Sequence, residues 1–296
     1  MWGVLREVWS SFRFHDGRLI SGAVAFYVLL AIAPVGVIAL VVAGWVLGSE
    51  AAHGELTRQL TAFMGKPTAA FVSQVIESAR EPGASGVATL ASLAFLVYAA
   101  TRVFVMLRAA LNHIWGVRTT VSASLHGPGR KVLGRRMLAF GMVLMCGAAI
   151  VLLAVLRVGT SRALGLVPKS PVVTQLSELG QWVAVLTLLV ALIFRWLPDA
   201  HVAWVDVILG ALVTAVFSVA GSLLIGVYFA EAGVVSTYGA AGSFVVLMIW
   251  VYYTAQVFFL GAEFTRAWAE HMGRRVTPLE HAESVKLSPD QSPIDY

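Results

Sequence analysis

Six long apolar runs constrain this chain more than any other feature of its sequence. An α-helix needs about 20 predominantly apolar residues to cross the hydrocarbon core of a bilayer. The runs lie at residues 20–47, 87–114, 137–157, 181–197, 204–229 and 241–265. Only 12% of the residues are charged, about half the share found in a typical soluble domain. The sequence therefore predicts an all-α membrane protein built as a bundle of six transmembrane helices.

Two segments outside these runs predict additional amphipathic helices. At the N-terminus, aromatic and aliphatic residues alternate with charged ones, a spacing typical of a helix that lies on the membrane surface. Residues 48–86 carry apolar positions at intervals of three and four, which is the helical period. We expect one or two helices there, interrupted around Gly65-Lys66-Pro67. The membrane domain is predicted to cover residues 1–272, and the Pro- and Ser-containing segment 273–296 is predicted to be a disordered cytoplasmic tail.

The distribution of Lys and Arg predicts how the bundle is oriented. With six spans, most cations fall on the side that holds both termini, and the loop 115–136 alone carries five cations and no acid. Positive loops stay in the cytoplasm, so both termini are predicted to be cytoplasmic. The net charge of +5 is explained by this orientation. Because no basic stripe is interleaved with aromatics on a polar domain, we expect the lipid bilayer, and not nucleic acid, as the partner.

Two arginines inside the second run mark a candidate site. If that helix ends near Trp115, Arg102 lies about 20 Å deep and Arg108 about 10 Å deep, at 1.5 Å per residue. A charge near the centre of the bilayer costs at least ~3 kcal/mol by insertion scales. Arg102 is therefore expected to face the bundle interior or a water-filled cavity.

Few residues could balance these cations. Glu263 and Asp206 fall in the half of the bundle that holds Arg108, so Glu263 is its expected partner and Asp206 the alternative. The expected partners of Arg102 are backbone carbonyls, water, Tyr252 and Gln256. Either these residues form static ion pairs that fix the order of the helices, or they bind an anion or a lipid headgroup. The candidate substrate-binding residues are Arg102, Arg108, Asn112, Asp206, Gln256 and Glu263.

The sequence lacks the common catalytic and metal-binding motifs. No histidines stand at HExxH spacing, the stretch GPGRKVLG lacks the Lys-Ser/Thr ending of a phosphate loop, and no GxSxG elbow occurs. The acids are scattered, and the two that stand close together, Asp199 and Asp206, are expected at a loop and at a helix start. The sequence therefore predicts no enzyme, no metal site and no cofactor.

Three stretches together resemble the YihY/BrkB family of bacterial inner-membrane proteins. They are SGAVAFYVLLAIAP, TRVFVMLRAALNHIWGVR, and a closing half formed by FRWLPDAHVAWVDVILGALVTAVF and YGAAGSFVVLMIWVYYTAQVFFLGAEF. The resemblance covers about residues 5–270. It implies six membrane helices with both ends inside the cell. Relatives were once labelled ribonuclease BN, and others are linked to serum resistance or to the lipopolysaccharide pathway.

These observations lead to one leading hypothesis and two alternatives. The leading hypothesis is a non-enzymatic, multi-pass inner-membrane protein that binds or moves an anionic or lipid-like solute. The first alternative is a structural or scaffold protein whose buried charges only hold the bundle together. The second, suggested by the old label of some relatives, is a membrane-associated ribonuclease, which the scattered acids do not favour.

Overall fold

Helices dominate the computed structural model of this protein. The structure describes residues 2–78, 98, 102–119, 141, 144–145, 148–157, 159–160, 171–231, 234–274, 276–279 and 282–284. The helices in this part of the chain are α1 (Trp2–Phe14), α2 (Gly17–Leu47), α3 (Ser49–Met64), α4 (Lys66–Ser78), α5 (102–114), α6 (Ala148–Arg157), α7 (Pro171–Trp196), α8 (Trp204–Glu231) and α9 (Val234–His271). The short strands are β1 (Val117–Thr119), β2 (Ala200–His201), β3 (Thr277–Pro278) and β4 (Ala282–Ser284). The predicted helical membrane class is confirmed.

Three of the described helices are long and apolar enough to cross a membrane. They span Gln175–Trp196, Trp204–Tyr228 and Gly242–His271, and they match the fourth, fifth and sixth apolar runs. A fourth span is formed if α1 and the Gly17–Ala33 part of α2, which meet at a 65° bend, are counted together. Much of the second and third runs, and most of the loop 115–136, lies outside the described residues. The structure thus supports three or four spans by length and composition.

The predicted amphipathic helices are confirmed as α1, α3 and α4. The break between α3 and α4 falls at Gly65, whose φ of 80° is a left-handed conformation that glycine adopts without steric cost. In α1, the side chains of Val4 and Val8 are buried against Ala267 of α9, while Trp2 and Trp9 on the other side are exposed. One face of α1 therefore packs on the bundle, and the opposite face is exposed.

Close packing of α8 against α9 forms the centre of the bundle. A Cβ atom added at Gly210 would overlap the hydroxyl of Thr265, and one added at Gly261 would overlap the hydroxyl of Thr214. Each threonine hydroxyl donates to the carbonyl four residues earlier in its own helix, at 2.7 Å in Thr214 and 2.8 Å in Thr265. Small residues allow membrane helices to approach closely, so these two glycine–threonine contacts set the distance between α8 and α9.

The segment after α9 is ordered by strand pairing. β3 pairs antiparallel with β2, in the turn between α7 and α8, and β4 pairs antiparallel with β1, just after α5. The backbone N–H of Leu279 also donates to the carbonyl of Asp199 at 3.0 Å. The prediction of a disordered tail is wrong for these residues, because two loops of the bundle offer their backbones as ladder partners. Residues 285–296 lie outside the described part of the chain.

Candidate functional site

Polar side chains gather at the end of the bundle where the chain repeatedly turns. The bend between α1 and α2, the turn between α7 and α8, the end of α5 and the segment after α9 all meet there. We call this group the terminal polar cluster. It consists of His15, Arg108, Asn112, Asp199, Asp206, Glu263 and Arg274.

Arg108 of α5 pairs with Asp199, which follows α7. Its Nε donates to Oδ2 at 3.1 Å, and its Nη2 donates to Oδ1 in the same two-pronged geometry. Asn112, one turn further along α5, donates to Oδ2 at 2.8 Å and accepts from the Asp199 backbone N–H at 2.8 Å. The predicted pairing of Arg108 with Glu263 is wrong. The turn after α7 places Asp199 next to Arg108, and both carboxylate oxygens of Asp199 accept hydrogen bonds from the guanidinium.

Glu263 of α9 binds His15 instead. His15 Nδ1 lies 2.6 Å from Glu263 Oε1, and both side chains are buried. The His15 ring also meets the edge of His113 of α5 with ring centroids 5.1 Å apart. His15 stands at the bend before α2, where Asp16 adopts a φ of 50°. Sequence reasoning missed this partner, because a lone histidine at the start of an apolar run carries no distinctive spacing.

Asp206 also has a different partner from the one expected. It lies fully buried in the first turn of α8, where a helix N-terminus favours negative charge. Arg274, just after α9, donates to its Oδ1 at 2.6 Å. Asp206 was the alternative partner predicted for Arg108, and this prediction is also wrong. This pair joins the segment after α9 to the start of α8. The β2–β3 ladder holds the same segment against the turn between α7 and α8.

Arg102 lies apart from the terminal polar cluster. Its side chain is exposed, and its guanidinium carbon lies 5.6 Å from the ring centroid of Tyr27 and 5.7 Å from that of Tyr98. Of the two predicted surroundings, the bundle interior is wrong, since the side chain is exposed, and the water-filled cavity stays a prediction. Six residues separate it from Arg108, so the two side chains point about 120° apart around α5, and Arg108 takes the inward face. No carboxylate of the described residues pairs with Arg102.

Gln256 is the remaining predicted site residue. It is half-buried on α9 and makes no side-chain hydrogen bond to a described residue. The structure thus brings Arg108 and Asn112 together at Asp199. Glu263 and Asp206 belong to two neighbouring pairs, with His15 and Arg274 respectively. Neither Arg102 nor Gln256 is hydrogen-bonded to this group within the described part.

A cavity of about 430 Å³ lies toward the opposite end of the bundle. Its wall comes from α2 to α7 and α9 and is almost entirely apolar. Representative lining residues are Val28, Ile32, Val103, Leu186, Trp182 and Trp250, and Gln59 supplies an amide. Pockets for small ligands are typically about 300–1,000 Å³ and mostly apolar with a few polar groups. We call this the apolar cavity.

The terminal polar cluster, Arg102 and the apolar cavity differ in the groups that they offer to a ligand. Within the described ranges, no group of three or more His, Cys, Asp and Glu side chains is placed to hold a metal ion. The terminal polar cluster offers paired charges, whereas among the described residues Arg102 offers a guanidinium beside two tyrosine rings. The apolar cavity offers room for hydrocarbon, and Tyr27, the ring beside the Arg102 guanidinium, belongs to the same side-chain cluster as the lining residues Ala31 and Val103.

This chain is similar to a family of proteins and to two relatives described as membrane proteins. The family model described as virulence factor BrkB matches residues 8–286. A UPF0761 membrane protein of Chromobacterium violaceum is 28% identical over 255 residues, which cover 84% of this chain and 57% of that protein. A second, from Tolumonas auensis, is 35% identical over 82 residues, 27% of each chain. The chain thus spans little more than half the length of the first relative.

No solved structure matches this chain. The family model, in contrast, covers well over half of the residues, including α2, α5 and α7 to α9, which carry the motifs quoted above. The resemblance seen in the sequence is therefore confirmed: the chain belongs to the BrkB (UPF0761) family of membrane proteins.

Proposed function

We propose that this protein binds an anionic, lipid-like solute and moves it within the bacterial envelope, without catalysing a reaction. The observation that carries the proposal is the exposed guanidinium of Arg102, which lies 5.6 Å from the ring of Tyr27, a residue clustered with the cavity-lining Ala31 and Val103. A charge at mid-depth in a membrane helix is costly unless it meets water, an anion or a protein partner. Two tyrosine rings offset part of that cost, and an anionic group would offset more.

The pairing of the other cations supports Arg102 as the residue that binds the anionic group. Arg108 and Arg274 already bind the buried carboxylates of Asp199 and Asp206. An anion that displaced either carboxylate would leave a buried charge without its partner, at a cost of about 3–5 kcal/mol. Among the described residues, no carboxylate would have to be displaced from Arg102. A solute with an anionic group at Arg102 and a hydrocarbon chain in the apolar cavity uses both features together.

The proposal includes a six-span arrangement in the inner membrane with both termini in the cytoplasm. Exposed aromatic residues at the two ends of the bundle support it: Trp196 and Trp204 beside the terminal polar cluster, and Trp45 and Tyr228 at the far end. Such aromatic belts are typical of membrane interfaces. From Trp204 to Tyr228, α8 rises about 36 Å at 1.5 Å per residue, enough for a hydrocarbon core of about 30 Å. The bias of cations assigns the cluster end to the cytoplasm.

Lipid flux in reconstituted vesicles tests the proposal. Full-length protein is placed in phosphatidylcholine vesicles that contain a fluorescent phosphatidylglycerol or a fluorescent phosphatidylcholine, and movement between leaflets is followed by chemical quenching of the outer leaflet. We expect protein-dependent movement of the anionic probe, reduced at least about tenfold in Arg102→Ala. Arg6→Ala, which removes an exposed cation from α1, is the matched control and should match wild type. Equal rates in vesicles with and without protein would contradict transport.

A structural role is the second candidate, and the terminal polar cluster favours it. The His15–Glu263 contact joins the bend before α2 to α9. Two ion pairs join the end of α5 to the turn after α7 and the segment after α9 to the start of α8. If the protein acts only as a scaffold, Arg108→Asp combined with Asp199→Arg should restore abundance and any cellular phenotype together. A swap that restores abundance while the phenotype stays lost would argue for a role beyond scaffolding.

A further inference from the structure

Polar side chains form a ring where α3, α6 and α7 come together. A contact between charged groups joins α3 to α6 at 3.8 Å, and another joins α3 to α7 at 3.9 Å. A hydrogen bond of 3.0 Å joins the segment directly after α6 to α7. We call the six residues the polar ring, and their contacts are Glu55–Arg157, Arg58–Glu178 and Gln181–Thr160.

The polar ring lies at one end of the apolar cavity. Its carboxylate on α3, Glu55, accepts a hydrogen bond from the amide of Gln59, which lines the cavity. Leu153 of α6 and Trp182 of α7 also line it. Each of these two stands one helical turn from a residue of the polar ring, on the same side of its helix. From there α7 runs on toward the terminal polar cluster, so the polar ring and that cluster lie at opposite ends of the bundle.

The contacts between charges of different helices are loose. At 3.8 Å and 3.9 Å they are too long for hydrogen bonds, whereas Arg58 pairs with Glu55 inside α3 at 2.6 Å. Glu178 is 45% exposed, and exposed ion pairs contribute little to stability. Glu55, in contrast, is 10% exposed. Glu178 can therefore leave Arg58 for water at small cost, while Glu55 stays in place.

Once Glu178 has moved away, the polar ring presents two guanidinium groups and one carboxylate. Arg58 and Arg157 both approach that carboxylate, Glu55, so the two guanidinium groups lie close enough for one oxyanion to contact both. Guanidinium groups bind carboxylates and phosphates through paired, charge-assisted hydrogen bonds. Glu178 thus occupies the position that the oxyanion of a ligand would take.

We infer that the anionic headgroup of the solute binds Arg58 and Arg157 in place of Glu178, while its hydrocarbon chain lies in the apolar cavity. The ligand class is a long-chain amphiphile with an oxyanion headgroup. The inference rests on the proposed function and deepens it, because it adds a second headgroup site to that of Arg102. In the proposed orientation this second site lies at the external end of the bundle, where a transported solute enters or leaves.

Fluorescence quenching can measure binding at this site. Full-length protein in phosphatidylcholine nanodiscs is titrated with a brominated long-chain alkyl phosphate and with the alcohol of the same chain, at probe amounts given as mole fractions of the bilayer. Bromine quenches indole fluorescence at short range, and Trp182 lines the cavity. We expect the phosphate to bind about tenfold more tightly than the alcohol, the effect of a charge-assisted hydrogen bond. Trp182→Phe should lower the quenched fraction, which locates the chain.

Two substitutions in the polar ring should change the affinity for the alkyl phosphate in opposite directions. Arg157→Gln removes a cation and should weaken this binding about tenfold, without changing that of the alcohol. Glu178→Gln removes the competing carboxylate and should strengthen it about threefold. Arg18→Gln and Glu50→Gln make the same changes at exposed positions outside the polar ring, and both should bind as wild type does.

The expected gain of affinity distinguishes a ligand site from a set of structural ion pairs. If the polar ring only held helices together, Glu178→Gln would leave the affinity unchanged or lower it, and either result would overturn the inference. Equal affinities of the two probes for wild type would do the same, whether or not the variants fold. Inorganic phosphate lacks the chain, so it should not displace the alkyl phosphate. Displacement would overturn the placement of the chain in the cavity.

The binding and flux experiments also fail separately. A tenfold preference for the alkyl phosphate that depends on Arg157, without any protein-dependent lipid movement, would refute transport and leave the binding site standing. Protein-dependent movement that depends on Arg102, with no preference for the alkyl phosphate, would refute the role of the polar ring and leave the proposed function standing.

Discussion

Replacing Asp199 by Asn tests whether the Arg108 pair holds the end of the bundle. Asp199 is 1% exposed and accepts three side-chain hydrogen bonds, two from Arg108 and one from Asn112. An asparagine turns one acceptor oxygen into a donor NH₂ group, which must then face a donor of Arg108 or of Asn112. At least one charge-assisted hydrogen bond is lost, and such bonds contribute about 1.5–3 kcal/mol each.

The remaining loss of stability in Asp199→Asn comes from leaving Arg108 without the negative charge of its partner. Removing one partner of a buried ion pair costs about 3–5 kcal/mol, but Arg108 is 22% exposed, so water recovers part of its solvation. We therefore expect Asp199→Asn to lower the free energy of unfolding by about 3 kcal/mol, at the low end of that range. Glu50→Gln removes an exposed carboxylate from the first turn of α3 and should change the free energy of unfolding by less than about 0.5 kcal/mol.

Denaturant titration of the full-length protein in mixed micelles measures these differences. The sharper test is a double-mutant cycle with Arg108→Met, because groups that bind each other show coupling energies of about 0.5–3 kcal/mol. We expect a coupling of about 2 kcal/mol, so the double variant should be more stable than the two single effects summed. Strict additivity, or an Asp199→Asn variant as stable as wild type, would refute the assignment of this pair as a structural bond.

Three further outcomes follow from the packing. Gly210→Leu should push α8 from α9 and lower stability by more than about 3 kcal/mol in the same titration, whereas Gly226→Leu, with no atom near its Cβ position, should have little effect. His15→Leu should cost about 3 kcal/mol because it strands Glu263, and adding Glu263→Leu should recover most of the loss, as judged by thermal unfolding. Truncation after Met272 removes both strand partners, so amide exchange should speed up in β1 and β2, read by mass spectrometry.

Local patterns in the sequence were enough to place α3, α4 and α7 to α9. The fourth to sixth apolar runs became α7, α8 and α9, and the break at Gly65 separates α3 from α4 as predicted. Both signals are carried by neighbouring residues: a run of apolar side chains satisfies the requirement of the bilayer, and a glycine between two helical patterns permits a left-handed backbone. Such features need no knowledge of the rest of the fold.

The pairing of charges could not be predicted in the same way. The partner of Arg108 stands 91 positions away, and the partner of His15 stands 248 positions away. Which carboxylate reaches which cation depends on how the turns between helices fold, and hydropathy does not report this. The face on which Arg102 lies was missed for a related reason: α5 is apolar on most sides, so its sequence pattern does not show which side meets the bundle.

The strand pairing of the segment after α9 has a consequence for biosynthesis. Residues 274–284 leave the ribosome after α1 to α9, yet they supply Arg274 to Asp206 and the second strand to both β1 and β2. The nascent chain can therefore insert α1 to α9 before it can form these contacts. A product that stops before Arg274 would leave Asp206 without this partner and both strands unpaired, so this end of the bundle would open more readily.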